Sequence, residues 1–181
     1  LNDINGRHNL TRYFNSSTLG QQYSGTKELV RMFLKADGTP VETGEQTIVE
    51  EFKNRDPRLA KTVLGPGFEI QSGANKILMN PNLSFCRTGY MLVKWVIRDD
   101  SHFQNSIDEN SLSIIRYPEV LLNYAEAMNE LKQMSEEIWN MTVGAIRKRV
   151  GLPAPYPTAP DQWLNEYYTK DLTNKHVTDG N

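Results

Sequence analysis

IIRYPEVLLNYAEAMNEL, from Ile114 to Leu131, is the stretch that decides how the rest of the chain is read. Beyond Pro118 the residues Val120, Leu121, Tyr124, Ala125, Met128 and Leu131 recur at spacings of one, three and four, which describes a helix with a broad apolar face. Pro118 suits a first turn because its missing N–H costs no intrahelical bond there, and Glu119 meets the positive end of the backbone dipole. The pattern therefore predicts a helix over Pro118 to Leu131 with that face buried.

A second helix is expected downstream. Ser135 can cap it, Glu136 and Glu137 follow, and Ile138, Met141 and Ala145 share one side that Trp139, Ile146 and Val150 widen. Arg147, Lys148 and Arg149 complement the opposite end of the dipole, and Gly151 followed by Pro153 is a stop signal. Residues 116–151 thus read as a helix hairpin. Either helix alone would be marginal in water, so the pair needs its apolar faces packed, at about 25 cal/mol per Å² of apolar area removed from water.

Upstream, the first 110 residues read as loop-rich. Residues 1–25 are dominated by Asn, Ser, Thr and Gly, with Tyr13, Phe14, Leu19 and Tyr23 at irregular intervals. Thr26 can cap a short helix with Leu29, Met32 and Phe33 on one side, closed by an Asp37-Gly38 turn. Ile48, Val49 and Phe52 suggest another short helix, and Asn54, Asp56 and Pro57 a turn before Leu59. Gly65-Pro66-Gly67 and Gln71-Ser72-Gly73 read as punctuation. Between Thr88 and Ile97 the alternation of Tyr90 and Leu92 with Met91, Val93 and Trp95 predicts a strand buried in part on both faces. Leu112 and Ile114 alternate with Ser111 and Ser113 in the same manner. Past Leu152, Pro153, Pro155, Pro157 and Pro160 exclude a regular helix, so residues 154–181 read as a connector and a short terminal segment.

Composition bounds the function. The 181 residues carry a formal net charge of −2, which leaves no basic excess for nucleic-acid phosphates. No apolar run approaches the length of a membrane helix. Cys86 is the only cysteine, which forbids an internal disulfide and suits a small buried hydrophobe. The chain opens on Leu1, with no signal-like segment, and is expected to be a fragment or a processed product.

The residues that could do chemistry are sparse. His8, His102 and His176 are far apart in sequence and form no metal-ligand motif, and no glycine-rich loop joins a strand to a helix, so neither a metal nor a cofactor is expected. Acid pairs such as Glu50-Glu51, Asp99-Asp100 and Asp108-Glu109 are adjacent in sequence, which does not place two carboxyls across a scissile bond. In NRDPRL, Asp56 can accept backbone donors while Arg55 and Arg58 organise the loops around Pro57. Arg116 can tie the segment entering the hairpin to a carbonyl or carboxylate. Tyr13, Tyr23, Tyr90 and Trp95 are the candidate ligand-binding residues, since aromatic faces can carry a sugar or another weakly polar ligand; packing is the alternative for each. Lys94 reads either as a snorkelling side chain or as a ligand contact. From the residues alone the chain is a non-enzymatic interaction domain.

NRDPRLAKTV (Asn54 to Val63), the segment Gly89 to Trp95, IIRYPEVLLNYAEAMNEL and AIRKRVGLP (Ala145 to Pro153) occur in an order that resembles the SusD/RagB family of surface nutrient-binding lipoproteins. The resemblance implies a mainly α, tetratricopeptide-like helix hairpin scaffold with long loops and a few short β strands, an incomplete SusD-like fold in which residues 1–153 form the C-terminal region. It implies scaffold roles for Arg55, Asp56, Pro57 and Arg58, and for Arg116, Glu119, Asn123, Tyr124 and Glu126. It further implies capture of a glycan or other nutrient and its delivery to a SusC-like, TonB-dependent transporter, with the whole protein lipid-anchored at the outer-membrane surface. The alternative is an α-helical protein-interaction module with no soluble ligand of its own.

Overall fold

A computed structural model of the chain describes residues 7–14, 23–41, 44, 46–103 and 107–159. The chain divides into two compact units, Leu1–Arg116 and Tyr117–Asn181.

Unit 1 is built around an extended segment, Tyr90 to Val93. Its backbone is bonded on one side to Gly25, whose N–H donates to the Tyr90 carbonyl at 2.8 Å. On the other side Leu64 N–H donates to Met91 O at 2.8 Å and Val93 N–H to Thr62 O at 2.9 Å. The alternation read from the sequence sorts the side chains as expected. Met91 and Val93 enter one core with Phe14, Leu64, Phe68, Ile70, Cys86 and Phe103, while Tyr90 and Leu92 pack on a second core of Val30, Leu59 and Val63. The strand expected over Thr88 to Ile97 is nonetheless not regular. Its neighbours supply only single bridges, Ser24 to Met91 and Val63 to Leu92, and the backbone turns at Trp95, whose φ is 71°.

Among the described residues four short α-helices serve these cores: α1 (Leu10–Phe14), α2 (Lys27–Arg31), α3 (Ile48–Phe52) and α4 (Leu59–Thr62). Thr26 caps α2 as expected, accepting from Leu29 N–H, and Thr47 forms a reciprocal capping box with Glu50 at the start of α3. Those two hydrogen bonds from Thr47, its backbone N–H and its hydroxyl, hold the Glu50 carboxyl below its ordinary range. Gly65 to Phe68 forms a turn in which Pro66 supplies the fixed φ and Gly67, at 78°, the left-handed position; Phe68 N–H donates back to Gly65 O.

The regular sheet of the described residues is one hairpin that the sequence reading passes over: β1 (Glu69–Ser72) pairs antiparallel with β2 (Asn75–Leu78), Ser72 facing Asn75. Gly73, at φ 56°, is the first of its two loop residues, where a tight hairpin needs positive φ. Ile70 is the sole fully buried side chain of the two strands.

Unit 2 holds α5 (Tyr117–Glu130), α6 (Glu136–Met141) and α7 (Val143–Arg149). Ser135 caps α6 as expected. The single helix expected over 135–150 is instead broken at Thr142, whose hydroxyl donates to Ile138 O at 2.6 Å and whose N–H is shared between Ile138 and Trp139 carbonyls. Such back-bonding from a threonine bends a helix, and here the backbone leaves helical geometry altogether, at φ −114° and ψ −98°. Gly151, at φ 80°, ends α7 with Leu152 N–H donating to Arg147 O and Gly151 N–H to Lys148 O, a Schellman closure that buries Leu152. The same closure ends α5, but with Lys132 at φ 58° in the position that favours glycine.

The broad apolar face of α5 is only partly covered. Ala125 is buried, whereas Val120, Tyr124 and Leu131 are 50%, 44% and 62% exposed. The two halves of the broken second helix are too short to cover a 14-residue rod along its whole length. The proline-rich segment after Leu152 folds back on this unit: Trp139 Nε1 donates to Ala154 O at 3.3 Å, and the Trp139 and Tyr156 rings meet edge to face at 6.3 Å. Leu112 and Ile114, expected to alternate with Ser111 and Ser113, are exposed and irregular, as is the adjoining Ile115.

Candidate functional site

Where Tyr90 to Val93 ends, unit 1 forms a half-open cavity of about 340 Å³. Leu10 and Phe14 of α1, Leu29 of α2 and Met91 form apolar walls, and Tyr23, Lys94 and Trp95 are its larger polar-tipped residues. Tyr23 is 52% exposed. The left-handed backbone at Trp95 is unusual for so bulky a residue and costs about 1–2 kcal/mol. It is held by Asn110, whose side-chain amide donates to Trp95 O at 2.9 Å. Conformations of this kind persist where surrounding structure imposes them, and they cluster at binding sites. The turn presents the Trp95 ring to the cavity with Lys94 Nζ 5.8 Å from its centroid. Lys94 has its pKa lowered, first by burial and then by the charge of Arg116.

Of the four aromatics expected to bind ligand, Tyr23 and Trp95 meet at this cavity. Tyr90 lies elsewhere: its ring packs on the second core, and its hydroxyl lies 2.8 and 2.9 Å from the two oxygens of buried Glu51. Burial, then the Glu51 hydrogen bond, pushes the Tyr90 phenol up to about 12. Tyr13 belongs to α1, and its side chain lies outside the described residues.

The NRDPRL loop is a fastening point. Arg55 donates to Phe33 O through Nε and Nη2, to Val30 O at 2.6 Å through Nη2 and to Glu51 O at 2.6 Å through Nη1, so one guanidinium closes the ends of α2 and α3. Asp56 is buried and accepts from the Arg58 backbone N–H at 2.9 Å and from the Arg58 guanidinium. Pro57 sits on the exposed outside of that loop. Arg116 is exposed at the end of unit 1. Glu119 occupies the first turn of α5, and Asn123 and Tyr124 its exposed surface. Glu126 lines a shallow groove with Leu122, Trp139 and Tyr156.

One cluster escapes sequence reasoning. His8 and His102, 94 positions apart, both face the fully buried Asp108, at 3.2 and 3.1 Å, and the same carboxylate accepts from Thr11 N–H at 2.7 Å. No local spacing announces it. It does not make a metal site, and no group of three or more ligating side chains suited to a metal occurs among the described residues. Likewise no helix there is long and apolar enough to cross a membrane.

Among the described residues these features define an α-rich chain with one small hairpin, in which Tyr23 and Trp95 line one cavity. A model of the SusD family matches residues 2–179, and the chain belongs to that family. Two solved structures from Bacteroides fragilis are similar in fold. One, a SusD-like protein, is 25% identical with a TM-score of 0.58 over 92% of this chain and 36% of that one. The other, a SusD-like carbohydrate binding protein, is 22% identical with a TM-score of 0.53 over 79% of this chain and 30% of that one. The chain thus spans about a third of the length of these structures. No curated protein matches it.

Proposed function

We propose that the chain is part of a non-catalytic receptor that captures a glycan or another small nutrient and delivers it to a SusC-like, TonB-dependent transporter at the outer-membrane surface, the whole protein being held there by a lipid anchor. The helices α5 to α7 act in this reading as the tetratricopeptide-like scaffold, and Arg55 to Arg58 fasten the loops that carry the site. The observation that carries the reading is the meeting of Tyr23 and Trp95, 72 positions apart in sequence, on one cavity beside Lys94. Family membership and the carbohydrate-binding relative support it.

Capture rather than turnover fits the chemistry. Among the described residues the cavity lining contains no carboxylate to serve as the acid and base pair that glycoside cleavage requires. Aromatic faces give reversible contact area, which suits a ligand that must be handed on.

The test is titration calorimetry of the full chain against a panel of glycans and peptides, with Trp95→Asn as the variant. Asparagine removes the ring yet tolerates the left-handed backbone, so a fall in affinity reports lost contact rather than misfolding. A loss of about tenfold or more is expected, in line with about 1–3 kcal/mol for a stacked aromatic. Binding by no member of either class, or binding indifferent to Trp95→Asn, contradicts the proposal.

A second reading, an α-helical interaction module, is favoured by the exposed Val120, Tyr124 and Leu131 on α5. It predicts that the isolated transporter binds the chain while no soluble ligand does.

A further inference from the structure

We infer that the cavity of unit 1 selects an acidic saccharide over its neutral counterpart, with the Lys94 ammonium and the Trp95 indole N–H as the groups that receive the anion. The inference rests on the capture reading above and names the class of ligand that the same site takes.

The charge balance of the cavity is one-sided. Among the described residues Lys94 is the one charged member of its lining, and no aspartate or glutamate there accompanies it. Among the described residues Lys94 makes no ion pair or hydrogen bond; its one close partner is the Trp95 ring. The field acting on it comes from a second cation, Arg116, which likewise has no carboxylate partner among the described residues. Lys94 and Arg116 are both exposed, so water screens their repulsion in part, and neither holds a counter-ion among the described residues. An anion that reaches Lys94 in the cavity meets no competing carboxylate among the described lining residues.

Hydrogen-bonding chemistry points the same way. An ammonium and an indole N–H donate and do not accept. The indole N–H has no acceptor among the described residues, and the Thr62 hydroxyl is already donated to Arg58 O at 2.9 Å. A neutral sugar brings hydroxyls, each a donor as well as an acceptor, and apart from the Thr62 and Tyr23 hydroxyl oxygens the side chains of the described lining offer those donors no acceptor oxygen. A carboxylate or a sulfate ester only accepts, so each of its polar atoms finds a partner while the apolar face of the ring lies along Trp95 and Tyr23. A charge-assisted hydrogen bond is worth about 1.5–3 kcal/mol, which corresponds to a preference of about 10- to 100-fold.

The experiment is an array of matched glycan pairs presented to the full chain: hexuronic acid oligomers against the corresponding hexose oligomers, sialylated against asialo glycans, and sulfated against unsulfated galactans. Calorimetry then follows on whichever pair binds, for the native chain and for Lys94→Gln. The acidic member is expected to bind about tenfold or more tightly, with the preference collapsing in Lys94→Gln and in 1 M salt, where the screening length is about 3 Å. Preference for carboxylated or for sulfated glycans identifies which anion is read, and either supports the inference. Equal binding of the neutral member, or an acidic preference that survives Lys94→Gln, overturns it and leaves glycan capture standing. Binding of no glycan overturns both.

Discussion

Replacing Arg55 by methionine tests whether one side chain fastens the loop unit. Methionine keeps most of the apolar stem and deletes the guanidinium, leaving the carbonyls of Val30, Phe33 and Glu51 without the donors they now share. Each charge-assisted bond is worth about 1.5–3 kcal/mol. The side chain is only half-buried, so water replaces part of what is lost, and burial already disfavours the charged guanidinium: it lowers the Arg55 pKa against the opposing pull of Glu51 and Asp56. The three carbonyls together therefore set an expected loss of about 3 kcal/mol rather than the sum of separate bonds. Arg55→Lys should recover about 1 kcal/mol of it, since a single ammonium cannot span carbonyls on two helices. Because the chain holds two units, a global melt mixes them, so amide hydrogen exchange over residues 27–34 and 48–56 is the decisive assay. Protection there should fall by about two orders of magnitude in the methionine variant, the factor that 3 kcal/mol implies. Exchange unchanged within threefold would refute the idea that this guanidinium closes α2 and α3.

Three other outcomes follow from the geometry. A methyl group at Gly65 would overlap the ring of Phe52, so Gly65→Ala should cost about 1–3 kcal/mol in urea denaturation, and adding Phe52→Leu should return part of it. Lys132→Gly should stabilise unit 2 by about 0.5–1 kcal/mol, because glycine occupies the left-handed position at the end of α5 without strain; a loss of helicity by circular dichroism would contradict this. Tyr90, with its phenol raised from 10 to about 12, favours the folded chain while it is protonated. The stability gap between the native chain and Tyr90→Phe should therefore be constant below pH 10 and shrink as pH rises from 10 to 12, followed by ultraviolet titration and denaturant melts; a phenol titrating at 10 would contradict it.

What the sequence made legible were features that act within a few residues of themselves. Thr26 and Ser135 cap their helices, Gly151 stops α7, and the alternation from Tyr90 to Val93 assigns each side chain to its core, because each depends on local backbone geometry or on parity alone. The β1–β2 hairpin was not legible, since Ile70 is its one fully buried side chain and the remaining residues show no alternation to detect. The break at Thr142 was hidden because apolar spacing continues through it, and only the hydroxyl's bond to Ile138 O betrays it. The exposure of Val120 and Tyr124 shows the converse limit: periodicity identifies a face that can be buried and is silent on what covers it. At the cavity, Tyr23 stood out as an aromatic in a polar loop and Trp95 as one near the end of an expected strand. Their convergence, and the diversion of Tyr90 to Glu51, are tertiary facts with no trace in spacing.

Asp108 carries an implication for how unit 1 is strung together. Its backbone exchanges hydrogen bonds with His8 in both directions, its carboxylate holds Thr11, and the neighbouring Glu109 pairs with Arg7 at 2.8 Å. The chain therefore returns after a hundred residues to the place it left, and the path of this unit is nearly a closed ring. A ring has no privileged beginning: a short peptide from Asn110 to Arg7, with new ends opened at the exposed Asp37-Gly38 turn, would permute the order of its segments while leaving each pair of contacting residues in place.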